Sequence, residues 1–246
     1  MPRRREVCPE ILDDLPPTDP RAIRSRRDLR RVNRVIGSCG IINRAVRGAL
    51  ASPAQDGRHG PLRILELGAG DGSLALKLTR RLATRWRQAD MTLLDRQSLV
   101  DAATAAEFTR LGWTLHPLTV DVLEWARASS QQQPAHWDLV VINLFLHHFE
   151  DGPLRELLAA VAARCDVFVA CEPWRSLPAL IGSRLMPALG VSADTLYDAL
   201  ASVRAGFRGS ELSQLWPATG AGWKLEEHRA GLFSHLFVAA RGEDAR

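Results

Sequence analysis

The chain has 246 residues, 46% of them hydrophobic and 24% charged, which suits one sizeable folded core and excludes a disordered or fibrous chain. The net charge of +4 resides at the front: between Met1 and Arg34 ten arginines face six acids, and the rest of the chain is balanced. No run approaches the roughly 20 apolar residues of a membrane-spanning helix. Cys8, Cys39, Cys165 and Cys171 have neither metal-ligand pairing nor disulfide-framework density, so no metal and a reducing, cytoplasmic setting are expected.

Residues 1 to about 20, rich in Pro, Arg and Asp, read as irregular, whereas Arg21 to about Leu50 carries apolar residues at helical spacing among many arginines. Those arginines either track phosphates or form a solvated helix face. A polar, glycine-bearing linker follows over 51–60, so 1–60 reads as a helical lid or extension and 61–246 as the main domain. There, short apolar runs at Arg63–Leu67, Met91–Leu94, Thr114–Val120, Trp137–Asn143 and Asp166–Glu172 alternate with helical patterns, among them Ser73–Trp86, Ser98–Leu111 and Gly152–Arg164. Such alternation predicts an α/β fold with a doubly wound, mostly parallel sheet and right-handed crossovers. A helical insertion is expected at about 177–216, with Val191-Ser-Ala-Asp194 as a helix start. Trp223–Ala230 and Leu232–Ala240, flanking Gly231, read as a terminal hairpin.

The most informative string is Ile64-Leu-Glu-Leu-Gly-Ala-Gly-Asp-Gly-Ser73. Glu66 closes a buried strand, and Gly68, Ala69, Gly70 and Gly72 form a turn that lets backbone approach a ligand. The Gly-x-Gly-x-Gly spacing differs from the Gly-x-Gly-x-x-Gly of dinucleotide folds and favours a ligand without a pyrophosphate. Asp95, with Arg96 beside it, ends the second strand, where a carboxylate accepts both hydroxyls of a ribose; the alternative is a helix cap. Asp121, next to Val122, ends the third, placed either for an adenine amine or as a cap. All three acids fall on the sheet edge where open α/β folds bind ligands.

These motifs, together with Trp137-Asp-Leu-Val-Val-Ile-Asn-Leu-Phe-Leu-His-His-Phe149, resemble those of class I S-adenosylmethionine-dependent methyltransferases over about residues 62–175. The resemblance implies a Rossmann-like seven-stranded sheet whose last strand is antiparallel, S-adenosylmethionine as methyl donor with S-adenosylhomocysteine as product, and Asn143 and Leu144 lining the methionine end. Asn143-Leu-Phe-Leu-His-His-Phe149 looks like small-molecule enzymes acting on phenols, quinols and polyketide-derived aromatics. The Asn/Asp-Pro-Pro-Tyr/Phe signature of amino-methylating nucleic-acid enzymes is missing, so a small aromatic acceptor is expected rather than nucleic acid.

His147 or His148, just past the fourth strand, is a candidate base for a phenolic proton, although both could be ordinary loop or capping histidines. Glu172 and Arg175 either orient substrate, as His148 could, or fix the following loop. Helices from Leu177 to Leu215 and from Arg21 to Leu50 suit a lid. Rival readings are an RNA or protein methyltransferase using the arginine-rich front, a non-catalytic cofactor-binding homologue, and a nicotinamide oxidoreductase fitting Gly68-x-Gly70-x-x-Ser73. A homodimer is compatible with the sequence.

Overall fold

A computed structural model describes residues 4–51, 60–128, 136–217 and 222–242; most of the expected linker, 52–59, lies outside them. The N-terminal region holds a one-turn helix α1 (Ile11–Asp14) inside the stretch expected to be irregular, then α2 (Pro20–Ile36) and α3 (Ser38–Ala49). Asp19 accepts a hydrogen bond from the Arg21 amide and Pro20 sets the first helical φ, so α2 starts one residue before the expected point. Gly37, at φ 77°, ends α2 and turns the chain into α3.

The main domain runs β1 (Leu62–Leu67), α4 (Ser73–Leu82), β2 (Ala89–Asp95), α5 (Ala102–Arg110), β3 (Trp113–Thr119), α6 (Val122–Ala128), β4 (Trp137–Asn143), α7 (Asp151–Ala162) and β5 (Cys165–Pro173). It continues with α8 (Leu177–Arg184), α9 (Ala193–Ala205), α10 (Glu211–Leu215), β6 (Trp223–Ala230) and β7 (Ser234–Arg241). The seven strands form one sheet in the order β3-β2-β1-β4-β5-β7-β6. β1 through β5 pair in parallel, and β7 runs antiparallel to both of its neighbours. Helix α5 starts at Ala102, four residues later than expected, because the Asp101 side chain caps it through the Thr104 amide at 2.7 Å. Ser192 starts α9 in the same way, within the expected Val191-Ser-Ala-Asp194 signal.

Alternation along the strands divides the core. Leu65, Leu67, Val140, Ile142, Phe168 and Ala170 face α7 and α10 on one side. Ile64, Met91, Leu93, Leu139, Val141, Val167 and Val169 face α3, α4 and α5 on the other. The expected N-terminal lid therefore splits: Ile42 and Val46 of α3 and Leu50 just past its end are fully buried core residues, whereas α1 and α2 pack on α9. The strand order reverses between β1 and β4, which opens a crevice at their carboxyl ends.

Candidate active site

At that crevice the chain leaves β1 through three left-handed glycines, with φ of 67° at Gly68, 56° at Gly70 and 72° at Gly72. A Cβ at Gly68 would lie 2.5 Å from the Phe145 ring, so both conformation and space demand glycine there. Gly70 donates its amide to Asp95 Oδ2 at 2.8 Å, while Asp95 Oδ1 accepts from the Gln97 amide at 2.9 Å. Asp95 thus clasps the glycine turn to the end of β2, and Asp101 caps the next helix in its place. Asp121 does cap α6, accepting from the Leu123 and Glu124 amides at 2.8 and 3.2 Å, and it also faces the crevice.

Glu66 is buried, and its Oε2 has no hydrogen-bond partner among the described residues; the same holds for Asn143 Oδ1. Burial, with Asp71 and Asp95 nearby, pushes the Glu66 carboxyl up to about 8. Leu144 follows with φ 53°, a left-handed conformation that a branched side chain rarely adopts. Its amide bonds to Cys171 O at 2.9 Å, which holds the strain.

These groups share one cavity of about 760 Å³, within the range of ligand pockets. Glu66, Gly68, Ala69, Gly70, Asp95, Arg96, Asp121, Val122, Asn143 and Leu144 line it. Gly72 lies off the wall, as the residue that starts α4. Leu29, Val32 and Ile36 of α2, with Leu185, Met186, Leu189 and Phe233, give the same cavity an apolar lining.

Five carboxylate and imidazole groups converge at another part of the cavity, Glu10, Asp13, His147 and His148 on its wall and Glu172 behind them. Glu172, fully buried, accepts the Phe145 and Leu146 amides at 2.9 Å and His147 Nδ1 at 2.7 Å. His147 Nε2 lies 3.3 Å from Glu10 Oε1, and His148 Nδ1 lies 2.8 Å from Asp13 Oδ2. Burial pulls the His147 imidazolium down, but the hydrogen bonds to Glu10 and Glu172 outweigh it and hold the group up at about 9. Burial likewise opposes ionisation of Glu10 and Glu172, and His147 outweighs it, keeping both carboxyls below their ordinary value. Arg5 donates to Phe149 O at 2.9 Å and packs over the Phe207 ring, strapping the N-terminus across this loop.

No protein-family model matches the sequence, and no curated protein matches it. Solved structures do match in fold. The plantazolicin methyltransferase BpumL in complex with SAH superposes at a TM-score of 0.60, with 13% identity over 91% of each chain. The fold is that of the class I methyltransferases. The methyltransferase domain of bacterial CtHen1-C matches at a TM-score of 0.54 with 12% identity, over 83% of this chain and 97% of that one. Magnesium protoporphyrin IX methyltransferase (ChlM) from Synechocystis PCC 6803, with SAM bound, matches at 0.51 with 14% identity, over 89% and 84%.

Within this methyltransferase fold the histidines are brought to the cavity wall, whereas Glu172 and Arg175 are not. Both lie behind it. Glu172 holds the loop after β4, and Arg175 is buried, donating to Gly206 O at 2.7 Å and pairing with Glu211. Glu172 thus grips the loop after β4 rather than the one that follows its own strand, and Arg175 ties the chain after β5 to Gly206 and Glu211. Arg96 lines the cavity, with its guanidinium tied to the Asp13 carbonyl. Sequence reasoning missed Glu10 and Asp13, which sit in the segment taken as irregular and meet the histidines across 137 and 135 residues. It also missed Ser202 of α9, which donates to Glu10.

Proposed function

We propose that this chain transfers a methyl group from S-adenosylmethionine to the oxygen of a small phenolic or quinol-type acceptor, with carbon methylation the second chemistry such a pocket admits. The observation that carries the reading is the single cavity, which joins the acid-ended strands and glycine turn to an apolar wall of helical residues. S-adenosylmethionine, when bound, supplies an electrophilic methyl carbon on a sulfonium. The residues present fit that group: the unpartnered Glu66 Oε2 and Asn143 Oδ1 suit an ammonium end, Asp95 suits ribose hydroxyls, and Asp121 with Val122 suits an adenine edge. Because such a displacement depends mainly on alignment, the chain's chief task is to hold acceptor and methyl carbon together and exclude water. Leu29, Val32, Met186 and Phe233 serve that task.

The acceptor proton leaves beside the histidines. Both His147 nitrogens face carboxylates, whereas His148 Nε2 lies 3.9 Å from Glu10, beyond hydrogen-bond reach. His148 is therefore the better-placed base. The arginine-rich front supports this reading over an RNA acceptor, since Arg5, Arg21, Arg30 and Arg31 form ion pairs within the chain. BpumL and ChlM, which share the fold, are named for plantazolicin and magnesium protoporphyrin IX. No helix among the described residues is long and apolar enough to cross a membrane, which fits a small-molecule enzyme.

The test is label transfer from methyl-labelled S-adenosylmethionine into RNA, protein, and a panel of phenols and quinols. Label in the aromatic pool is the expected result. Label confined to RNA would sink the small-molecule reading, and failure to bind S-adenosylhomocysteine at all would sink the methyltransferase reading itself.

A further inference from the structure

Among the described residues one grouping of His, Cys, Asp and Glu brings three donor atoms within 4.8 Å of one another: Glu10, His147 and His148. The hydrogen bonds around it fix which ring atoms are offered. Carboxylates only accept, and Glu172 already accepts three backbone amides, so His147 Nδ1 carries its proton toward Glu172 at 2.7 Å. Asp13 fixes His148 in the same way, through Nδ1 at 2.8 Å. Each imidazole is thereby oriented with Nε2 toward the Glu10 carboxylate, at 3.3 Å for His147 and 3.9 Å for His148.

From this arrangement we propose that Glu10, His147 and His148 form a binding site for one divalent ion of the zinc class, with open positions facing the cavity. Histidines that donate Nδ1 to a carboxylate while offering Nε2 to a metal are the usual outer-shell arrangement of zinc sites. Two ligand atoms about 2.0–2.1 Å from a tetrahedral zinc lie roughly 3.3 Å apart, which is the His147–Glu10 separation. In the metal-free chain a proton bridges that pair, and the ion displaces it on binding. No proton bridges 3.9 Å, whereas a modest closure of the His148 ring onto a shared ion does. Asp13 and Glu172 add negative charge at the same place, which favours a dication. Two histidines and one carboxylate leave coordination positions for water or substrate, as in catalytic rather than structural zinc sites. All three ligands line the cavity assigned above to the acceptor.

The ion's role, though not its binding, rests on the methyl-transfer reading. An acceptor hydroxyl that ligates the ion loses its proton to solvent, because a bound cation stabilises the oxyanion. The O–C bond then forms as the sulfonium C–S bond breaks, and that electron pair stays on sulfur. With the ion bound His148 is its ligand and solvent takes the proton; without the ion His148 is the base assigned above.

The experiment uses the full chain, stripped with a chelator, dialysed against micromolar Zn(II) and assayed for bound metal, with Co(II) as a spectroscopic probe. S-adenosylhomocysteine binding is measured on the same samples. The expected result is one ion per chain, with visible Co(II) bands typical of mixed nitrogen and oxygen ligands. Glu10→Gln and His148→Ala should weaken uptake by roughly 100-fold or more, and Asp13→Asn, which removes the charge that orients His148, by about tenfold. Cys8→Ser, which removes the exposed thiol, should leave uptake unchanged. No uptake by the parent chain, uptake indifferent to Glu10→Gln and Asp13→Asn, or uptake lost with Cys8→Ser would each overturn the site. A chain that binds Zn(II) but not S-adenosylhomocysteine keeps the site and loses the methyl-transfer reading; the reverse pattern does the opposite.

Discussion

The two parts of the cavity are built by different means. At the glycine turn, ligand-facing groups are mostly backbone and strand ends, and the partners are close in sequence: Gly70 and Asp95 are 25 residues apart. At the histidine cluster the groups facing the cavity are side chains, and Glu10 meets His147 across 137 residues. The turn is specified by local conformation, because left-handed φ values select glycine. The cluster exists only once the N-terminal segment has docked. Perturbing the turn should therefore affect cofactor binding first, and perturbing the cluster should affect the loop after β4 and its stability first.

The largest effect is expected at Glu172. Removing a buried carboxylate leaves the Phe145 and Leu146 amides and His147 Nδ1 without their acceptor, with Glu10 alone still facing the imidazole. Glu172→Ala should cost about 3–5 kcal/mol in urea unfolding, with Glu172→Gln recovering part of it. A loss under about 1 kcal/mol would mean that the loop after β4 is held by packing rather than by this charge. At the other end, Asp95→Ala removes a clasp on the turn and the proposed ribose acceptor together. S-adenosylhomocysteine affinity should fall roughly 10- to 100-fold, as for a lost charged hydrogen bond, with a smaller change in stability. Equal losses of affinity and stability would blur the distinction between the two regions.

Glu66 permits a pH test. Its folded carboxyl titrates at about 8 against an ordinary 4.5, so between those values the native protein keeps a proton that the unfolded chain has lost. Stability should fall as pH rises from about 4.5 to 8, then level off, by a few kcal/mol at most. An ammonium placed beside Glu66 reverses the preference and ionises it. At pH 7, S-adenosylhomocysteine binding should then release about one proton per site, read as a buffer-dependent binding enthalpy in calorimetry. Glu66→Gln should abolish the release. A binding heat that is the same in phosphate and Tris would remove Glu66 from the proposed ammonium contact.

This contrast explains what could be read in advance. The strands, the glycine turn and the hairpin around Gly231 were legible because apolar period and turn chemistry are written locally. The start of α5 was not, since Ser98 and Asp101 are both sound capping residues and only tertiary packing selects Asp101. His147 and His148 were legible as chemistry-bearing residues, but their partners Glu10 and Asp13 lie among prolines and arginines in a stretch without period. The same holds for Arg175, whose charge suggested a ligand and whose burial against Gly206 O and Glu211 serves the chain itself.

The smallest effect concerns the link between the two regions. Arg30 of α2 reaches Asp71 of the glycine turn at 2.7 Å, with side chains 44% and 30% exposed. Solvent screens such a pair, so a double-mutant cycle with Arg30→Met and Asp71→Asn should give a coupling of about 0.2–1 kcal/mol. High salt should erase it. A coupling above about 2 kcal/mol that survives 1 M salt would show that α2 grips the turn as firmly as Glu172 grips the loop after β4. The turn would then depend on N-terminal docking too, and the division between a locally specified end and a docked end of the cavity would not stand.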